Sequence, residues 1–131
     1  MPILLTPLEK AIAQLEAGLQ TMSTNPTDDL HRDGVIQRFE YTMDLAWKLL
    51  QRFLTQHFQV QDAAIRSKKD IFREAARLRL IADAEQWIGH YEARNETSHD
   101  YNQDKADAVF ERAKMFLPDV QDLLEVLRRV S

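Results

Sequence analysis

The chain has 131 residues, 44% of them hydrophobic and 29% charged, which is the composition of a folded globular chain, and residues 1–131 are expected to form a single domain. Its 17 Lys and Arg against 21 Asp and Glu leave a formal net charge of -4, so a broadly basic nucleic-acid binder is excluded and any RNA contact must be local. Cysteine is absent, which excludes disulfides, thiolate nucleophiles and cysteine-ligated zinc together.

Met1-Pro2-Ile3-Leu4-Leu5 has no charged lead and too short an apolar run for a signal peptide. No later segment approaches the roughly 18 apolar residues of a membrane span. A cytoplasmic protein without membrane contact is the expectation. Three glycines and four prolines punctuate the sequence, and apolar residues recur at three- and four-residue steps almost throughout. That pattern predicts an all-α up-and-down bundle of four to five helices.

A first helix is expected to open at Thr6, where Thr6-Pro7-Leu8-Glu9 offers a cap, an N-terminal proline and a capping-box glutamate. Leu8, Ile12, Leu15 and Leu19 form its apolar stripe, and Thr21 to Asp29, with Asn25-Pro26, reads as the loop that ends it. The second helix is predicted from Asp33 to Gln56. Val35, Phe39, Thr42, Ala46, Leu49 and Phe53 mark one stripe and Met43, Trp47, Leu50 and Leu54 another, so this helix is expected at the centre of the bundle. Glu40, Asp44 and Lys48 share a face at four-residue spacing, and ion pairing along a solvated surface accounts for Asp44 and Lys48.

Ser67-Lys68-Lys69-Asp70 caps a third helix expected to end near Leu80, with Ile71, Ala75 and Leu78 inward. Arg66, Lys69, Arg73 and Arg77 step along the opposite side. Between Asp62 and Arg79, six cations (Arg66, Lys68, Lys69, Arg73, Arg77, Arg79) stand against three anions (Asp62, Asp70, Glu74). In an acidic protein this is the best phosphate-facing surface available, and a solvated helical face is the competing reading. A fourth helix should begin near Asp83, with Trp87, Ile88 and Tyr91 apolar, and run into Arg94. His90, one turn before Arg94, either orients that arginine's surroundings or sits at the surface. A fifth helix starts at Asn102 or Asp104 and buries Ala106, Val109, Phe110, Ala113, Phe116, Leu117, Val120, Leu124 and Leu127. Pro118 should kink this helix or split it after Leu117.

The chemistry gathers between Tyr91 and Tyr101, where an arginine, an amide, hydroxyls, an imidazole and a phenol fall close together. Arg94 presents a fork suited to phosphate oxygens, and His99 can take or give a proton near neutral pH. Such a pair could open a phosphodiester without a metal, the imidazole serving the ribose 2′-hydroxyl or the leaving oxygen and the guanidinium stabilising phosphoryl charge. On one continuous helix the two side chains would lie about 140° apart. They converge if the helix ends between them or if a second copy completes the site. The competing structural reading is that Arg94 and His99 oppose a helix dipole and that Asn95, Thr97 and Ser98 terminate the helix. His31, His57, His90 and His99 show no paired ligand spacing, while Asp100, Asp104 and Asp107 read as N-terminal helix anions, so no metal site is expected.

Gln37-Arg38-Phe39-Glu40-Tyr41-Thr42-Met43-Asp44-Leu45-Ala46-Trp47-Lys48 and Arg94-Asn95-Glu96-Thr97-Ser98-His99-Asp100-Tyr101 together resemble the nucleotidyltransferase substrate-binding proteins, a branch of the HEPN superfamily. The resemblance runs from Leu8 to Leu127. It implies a dimeric four- or five-helix bundle with a metal-independent ribonuclease site across the dimer interface, needing no cofactor. Arg94 and His99 then take the catalytic positions and Asn95 a supporting one. It further implies pairing with a minimal nucleotidyltransferase in a toxin-antitoxin system, in which AMP is attached to Tyr101 and blocks the RNA pocket by sterics and repulsion. The basic row of the third helix would guide RNA. The substrate-binding branch leaves a second reading open, a non-catalytic adaptor that presents substrate or Tyr101 to the transferase.

Overall fold

The computed structural model describes residues 3–24, 28–96 and 102–131, and they are overwhelmingly helical, with no strand among them. Five α-helices follow one another: α1 (Thr6–Thr24), α2 (Asp29–Arg52), α3 (Lys68–Arg77), α4 (Ala84–Glu96) and α5 (Gln103–Val130). No helix among the described residues is long and apolar enough to cross a membrane.

Local chemistry explains the boundaries. Asp28 accepts hydrogen bonds from the backbone N–H groups of Leu30 and His31 at 3.0 and 3.2 Å, satisfying donors that the first turn leaves open. The second helix therefore starts four residues before the expected Asp33. At its other end the α-helix gives way at Phe53–His57 to a wider turn, where the N–H of Phe58 reaches back five residues to the Phe53 carbonyl at 3.0 Å. Ser67 caps α3 by accepting from Asp70 N–H at 3.2 Å, and Asn102 caps α5 by accepting from Lys105 N–H at 2.9 Å. In α1 the first backbone bond joins Glu9 N–H to the Leu5 carbonyl at 3.0 Å, so the cap lies one residue before Thr6.

The third helix stops at Arg77, short of the expected Leu80. Arg79 takes a left-handed conformation with φ 63°, which lets Arg79 N–H bond the Ala76 carbonyl at 3.0 Å and Leu80 N–H bond the Ala75 carbonyl at 2.8 Å. Glycine ordinarily supplies that conformation, and no glycine stood there to announce it. Pro118 gives the opposite surprise, since α5 continues through it without being split. Pro118 and Lys114, whose carbonyl loses its partner, both lie on the exposed side, where water can serve that carbonyl.

The fold turns on α2, which packs against each of the other four helices. Phe39, Met43, Ala46 and Leu50 are fully buried along it, as the two adjoining stripes require. Phe39 meets Phe116 of α5 edge-on at 5.1 Å between ring centroids, and Phe116 meets Trp87 of α4 at 5.5 Å. Leu123 and Phe72 join the core beyond the expected positions, whereas Phe110 and Leu117 are only partly buried. Near the start of α2, Arg32, 9% exposed, reaches Asp29 and Asp33 of its own helix and Asp107 of α5. That contact ties the start of α2 to the start of α5.

Candidate functional site

Two helices build the polar site that contains Arg94. Glu40 and Asp44 stand one turn apart on α2, and the same periodicity that buries Phe39 and Met43 turns these carboxylates toward the edge of the bundle. Arg94 occupies the last turn of α4 and crosses to them. Its Nε and Nη2 donate to the two oxygens of Asp44 at 3.0 and 3.1 Å, and Nη1 donates to Glu40 Oε2 at 2.7 Å. The paired fork against Asp44 is the stronger, direction-setting kind of ion pair. All three side chains are about one-quarter to one-third exposed, so the cluster touches solvent without being a fully screened surface pair. Hydrogen bonding to Asp44 raises the Arg94 pKa further, against the opposing effect of burial and with help from the charges of Asp44 and Glu40. The side chain is a fixed cation facing two carboxylates.

This arrangement replaces the expected pairing along α2. Asp44 reaches across to Arg94 rather than to Lys48, whose Nζ lies 5.7 Å from the Trp47 ring centroid, with Lys68 at 4.7 Å from the same ring. Spacing within one helix identifies neighbours along it and says nothing of the helix packed against it. Glu40 and Asp44 are thus the residues of the site that sequence reasoning passed over. The signal was two carboxylates one turn apart on the helix with the most buried stripe.

Asn95 follows Arg94 on α4 and is exposed. The described part of α4 runs to Glu96. His99 and Tyr101 lie outside the described residues. Of the basic row, Lys69 pairs with Glu92 of α4 at 3.8 Å, Arg73 with Asp70 at 3.6 Å and Arg77 with Glu74 at 2.6 Å. Arg66 precedes α3, is exposed, and donates its backbone N–H to Asp70 at 3.1 Å. No group of three or more metal-ligating side chains occurs among the described residues.

His90 is neither at the surface nor turned to Arg94. It is completely buried, with Nδ1 2.9 Å from Arg112 Nε and Nε2 2.7 Å from Asp119 Oδ2. A guanidinium can only donate, so Nδ1 accepts from Arg112 and the ring's own proton sits on Nε2, donated to Asp119. Burial is the main influence holding the imidazole pKa below its usual 6.5; Asp119 pulls the other way, and the positive charge of Arg112 adds to the depression. Arg112 also donates to the Gln86 carbonyl at 2.7 Å. Gly89 makes that course possible, because a Cβ there would collide with Arg112 Nη2. A cleft of about 390 Å³ opens beyond Asp119, lined also by Asp83, Gln86, Trp87 and Asp122, and it contains none of the expected site residues.

An all-α bundle in which carboxylates of the second helix hold a cation of the fourth defines the class. The family described as nucleotidyltransferase substrate binding protein like matches residues 4–129. A Haemophilus influenzae protein named as a probable ribonuclease HepT is 36% identical over 124 residues, covering 93% of this chain and 85% of the relative. Two solved structures are similar throughout. One, from Haemophilus influenzae, is described as revealing the fold of a substrate binding domain of a nucleotidyltransferase. It superposes with a TM-score of 0.86 at 35% identity, covering 95% of this chain and 99% of that one. The other, a crystal structure from Thermus thermophilus, gives a TM-score of 0.80 at 33% identity over 93% and 99% of the two chains. The chain belongs to the nucleotidyltransferase substrate-binding protein family.

Proposed function

We propose that this protein is the helical partner of a minimal nucleotidyltransferase in a toxin-antitoxin pair, and that two copies of it form a metal-independent endoribonuclease. The observation that carries the reading is Arg94, fixed as a cation on α4 by Asp44 and Glu40 of α2, in a chain 36% identical to a probable ribonuclease. In the proposed reaction His99 takes the proton of a ribose 2′-hydroxyl, and that oxygen attacks the adjacent phosphorus. The bond from phosphorus to the 5′-oxygen breaks, and the leaving oxygen receives a proton from an imidazolium. The products are a 2′,3′-cyclic phosphate and a 5′-hydroxyl. Arg94 stabilises the charge that gathers on the non-bridging oxygens, and Asn95 supports the phosphate. A homodimer would supply the second imidazole. Arg66, Lys69, Arg73 and Arg77 guide the strand; the exposed pairs of Arg73 and Arg77 with Asp70 and Glu74 are weak enough for phosphates to displace.

Under this proposal AMP on Tyr101 places an anion beside the site and shuts it. The purified protein should cleave single-stranded RNA in chelator, and His99→Ala and Arg94→Ala should each lose at least about 100-fold in rate. Full activity in His99→Ala would end the ribonuclease reading. Mass spectrometry after incubation with the transferase and ATP should find AMP on Tyr101, with cleavage lost.

One observation favours a second reading. Three nitrogens of Arg94 already donate to carboxylates, which suits a non-catalytic adaptor that presents substrate or Tyr101 to the transferase. It expects tight association with the transferase and no cleavage by the purified protein.

A further inference from the structure

Glu40 and Asp44 hold Arg94 from a different helix, 54 and 50 residues away in sequence. An arginine left to itself at a helix end samples many rotamers, and each must be given up when the side chain acts. Here the fork of Asp44 fixes the plane of the guanidinium, and Glu40 fixes its rotation within that plane. Three of its five N–H donors are thereby directed to α2. The charge of the cluster matters equally. Two carboxylates outweigh one guanidinium, so at a distance the cluster does not attract an RNA strand, and the long-range attraction must come from elsewhere on the surface.

We infer that Glu40 and Asp44 are positioning residues, which keep the Arg94 guanidinium oriented for the phosphoryl charge of the transition state while preventing it from acting as a ground-state anchor for RNA. The inference rests on the ribonuclease reading. A preoriented donor needs no reorganisation when charge develops, so it lowers the barrier rather than tightening substrate binding. Losing either carboxylate would let the guanidinium drift by the fraction of an ångström to which such sites are sensitive.

The test is steady-state cleavage of a short RNA by the full-length protein in chelator. Glu40→Gln and Asp44→Asn should each lower kcat by about 10- to 100-fold, with KM unchanged or lower because a negative charge has gone. Asp44→Glu, which restores the carboxylate, should recover part of that loss. A raised KM at unchanged kcat would overturn the inference, as would a raised kcat. Unchanged kinetics accompanied by a lower Tm would reduce the pair to a structural strut and overturn it too.

A second measurement guards against variants that fold poorly. The Nε–H proton of Arg94, assigned by its absence in Arg94→Lys, should exchange slowly with water in the wild-type protein and fast in Asp44→Asn. Fast exchange in the wild type would show that nothing positions the side chain, and would overturn the inference. If wild-type protein does not cleave RNA, the ribonuclease reading falls and the catalytic role with it, whereas slow Nε–H exchange would then retain the clamp alone.

Discussion

Two polar groups on α4 sit one turn apart and have opposite characters. His90 is sealed in the bundle between Arg112 and Asp119, where burial keeps it neutral. Arg94 stands at the edge, charged and partly wet, between two carboxylates. Both are held by side chains of other helices, yet the physical cost of disturbing them differs. A buried donor or acceptor that loses its partner bears the whole desolvation penalty, while a partly exposed one recovers water. The deeper cluster therefore belongs to the scaffold, and the shallower one, the candidate site, keeps its charge in contact with solvent.

Stability measurements can break this contrast. His90→Ala should have the largest effect, about 3 kcal/mol or more in urea unfolding, because it opens a cavity and leaves Arg112 and Asp119 without their shared partner. A loss below about 1 kcal/mol would mean that the histidine is not a keystone. The wild-type protein should also carry a pH signature of this residue. With its folded pKa held below 6.5, the unfolded chain binds the proton more readily, so the contribution of His90 is fully present above pH 6.5 and is lost as pH falls from there through the lower folded value. Unfolding free energies measured from about pH 8 to pH 5 should decline on the acid side, and the imidazole should stay neutral by NMR below pH 6.5.

Gly89→Ala sharpens the comparison by acting on Arg112 alone. The methyl would collide with the guanidinium and cost it its bonds to His90 and Gln86, partly offset by about 1 kcal/mol of helix propensity. A net loss of about 1 kcal/mol is expected from thermal unfolding. Arg94→Ala should have the smallest effect on folding, about 1 kcal/mol, since ion pairs that touch solvent are partly screened and the carboxylates left behind regain water. Its destabilisation should shrink further as salt is raised. A larger cost for Arg94→Ala than for His90→Ala would reverse the assignment of scaffold and site.

Much of the architecture was legible from the residues. Val35, Phe39, Met43 and Leu50 announced a helix buried on more than one side, Ser67 announced a cap, Asn102 or Asp104 announced the start of the last helix, and the helix count followed from spacing and punctuation. Boundaries were less legible where the usual signals were absent. Arg79 takes a conformation that usually marks glycine, and Asp28 starts α2 about two turns before the apolar stripe begins at Val35. At the candidate site, Arg94 stood out by residue type, but its partners did not. Glu40 and Asp44 looked like members of a solvated charge row, and His90 read as a residue that orients the surroundings of Arg94 or sits at the surface, because its partners Arg112 and Asp119 stand on another helix.

The sequence by itself determined the helices and their apolar faces, because 3.6-residue periodicity and capping chemistry act over one or two turns. Only the tertiary structure decided which charges meet. Asp119 and Arg112 come to His90 from 29 and 22 residues away, and Glu40 and Asp44 to Arg94 from 54 and 50. Those meetings depend on how helices rotate and slide against one another, and that is set by the packing of the whole core around Phe39 and Phe116 rather than by any local stretch of chain.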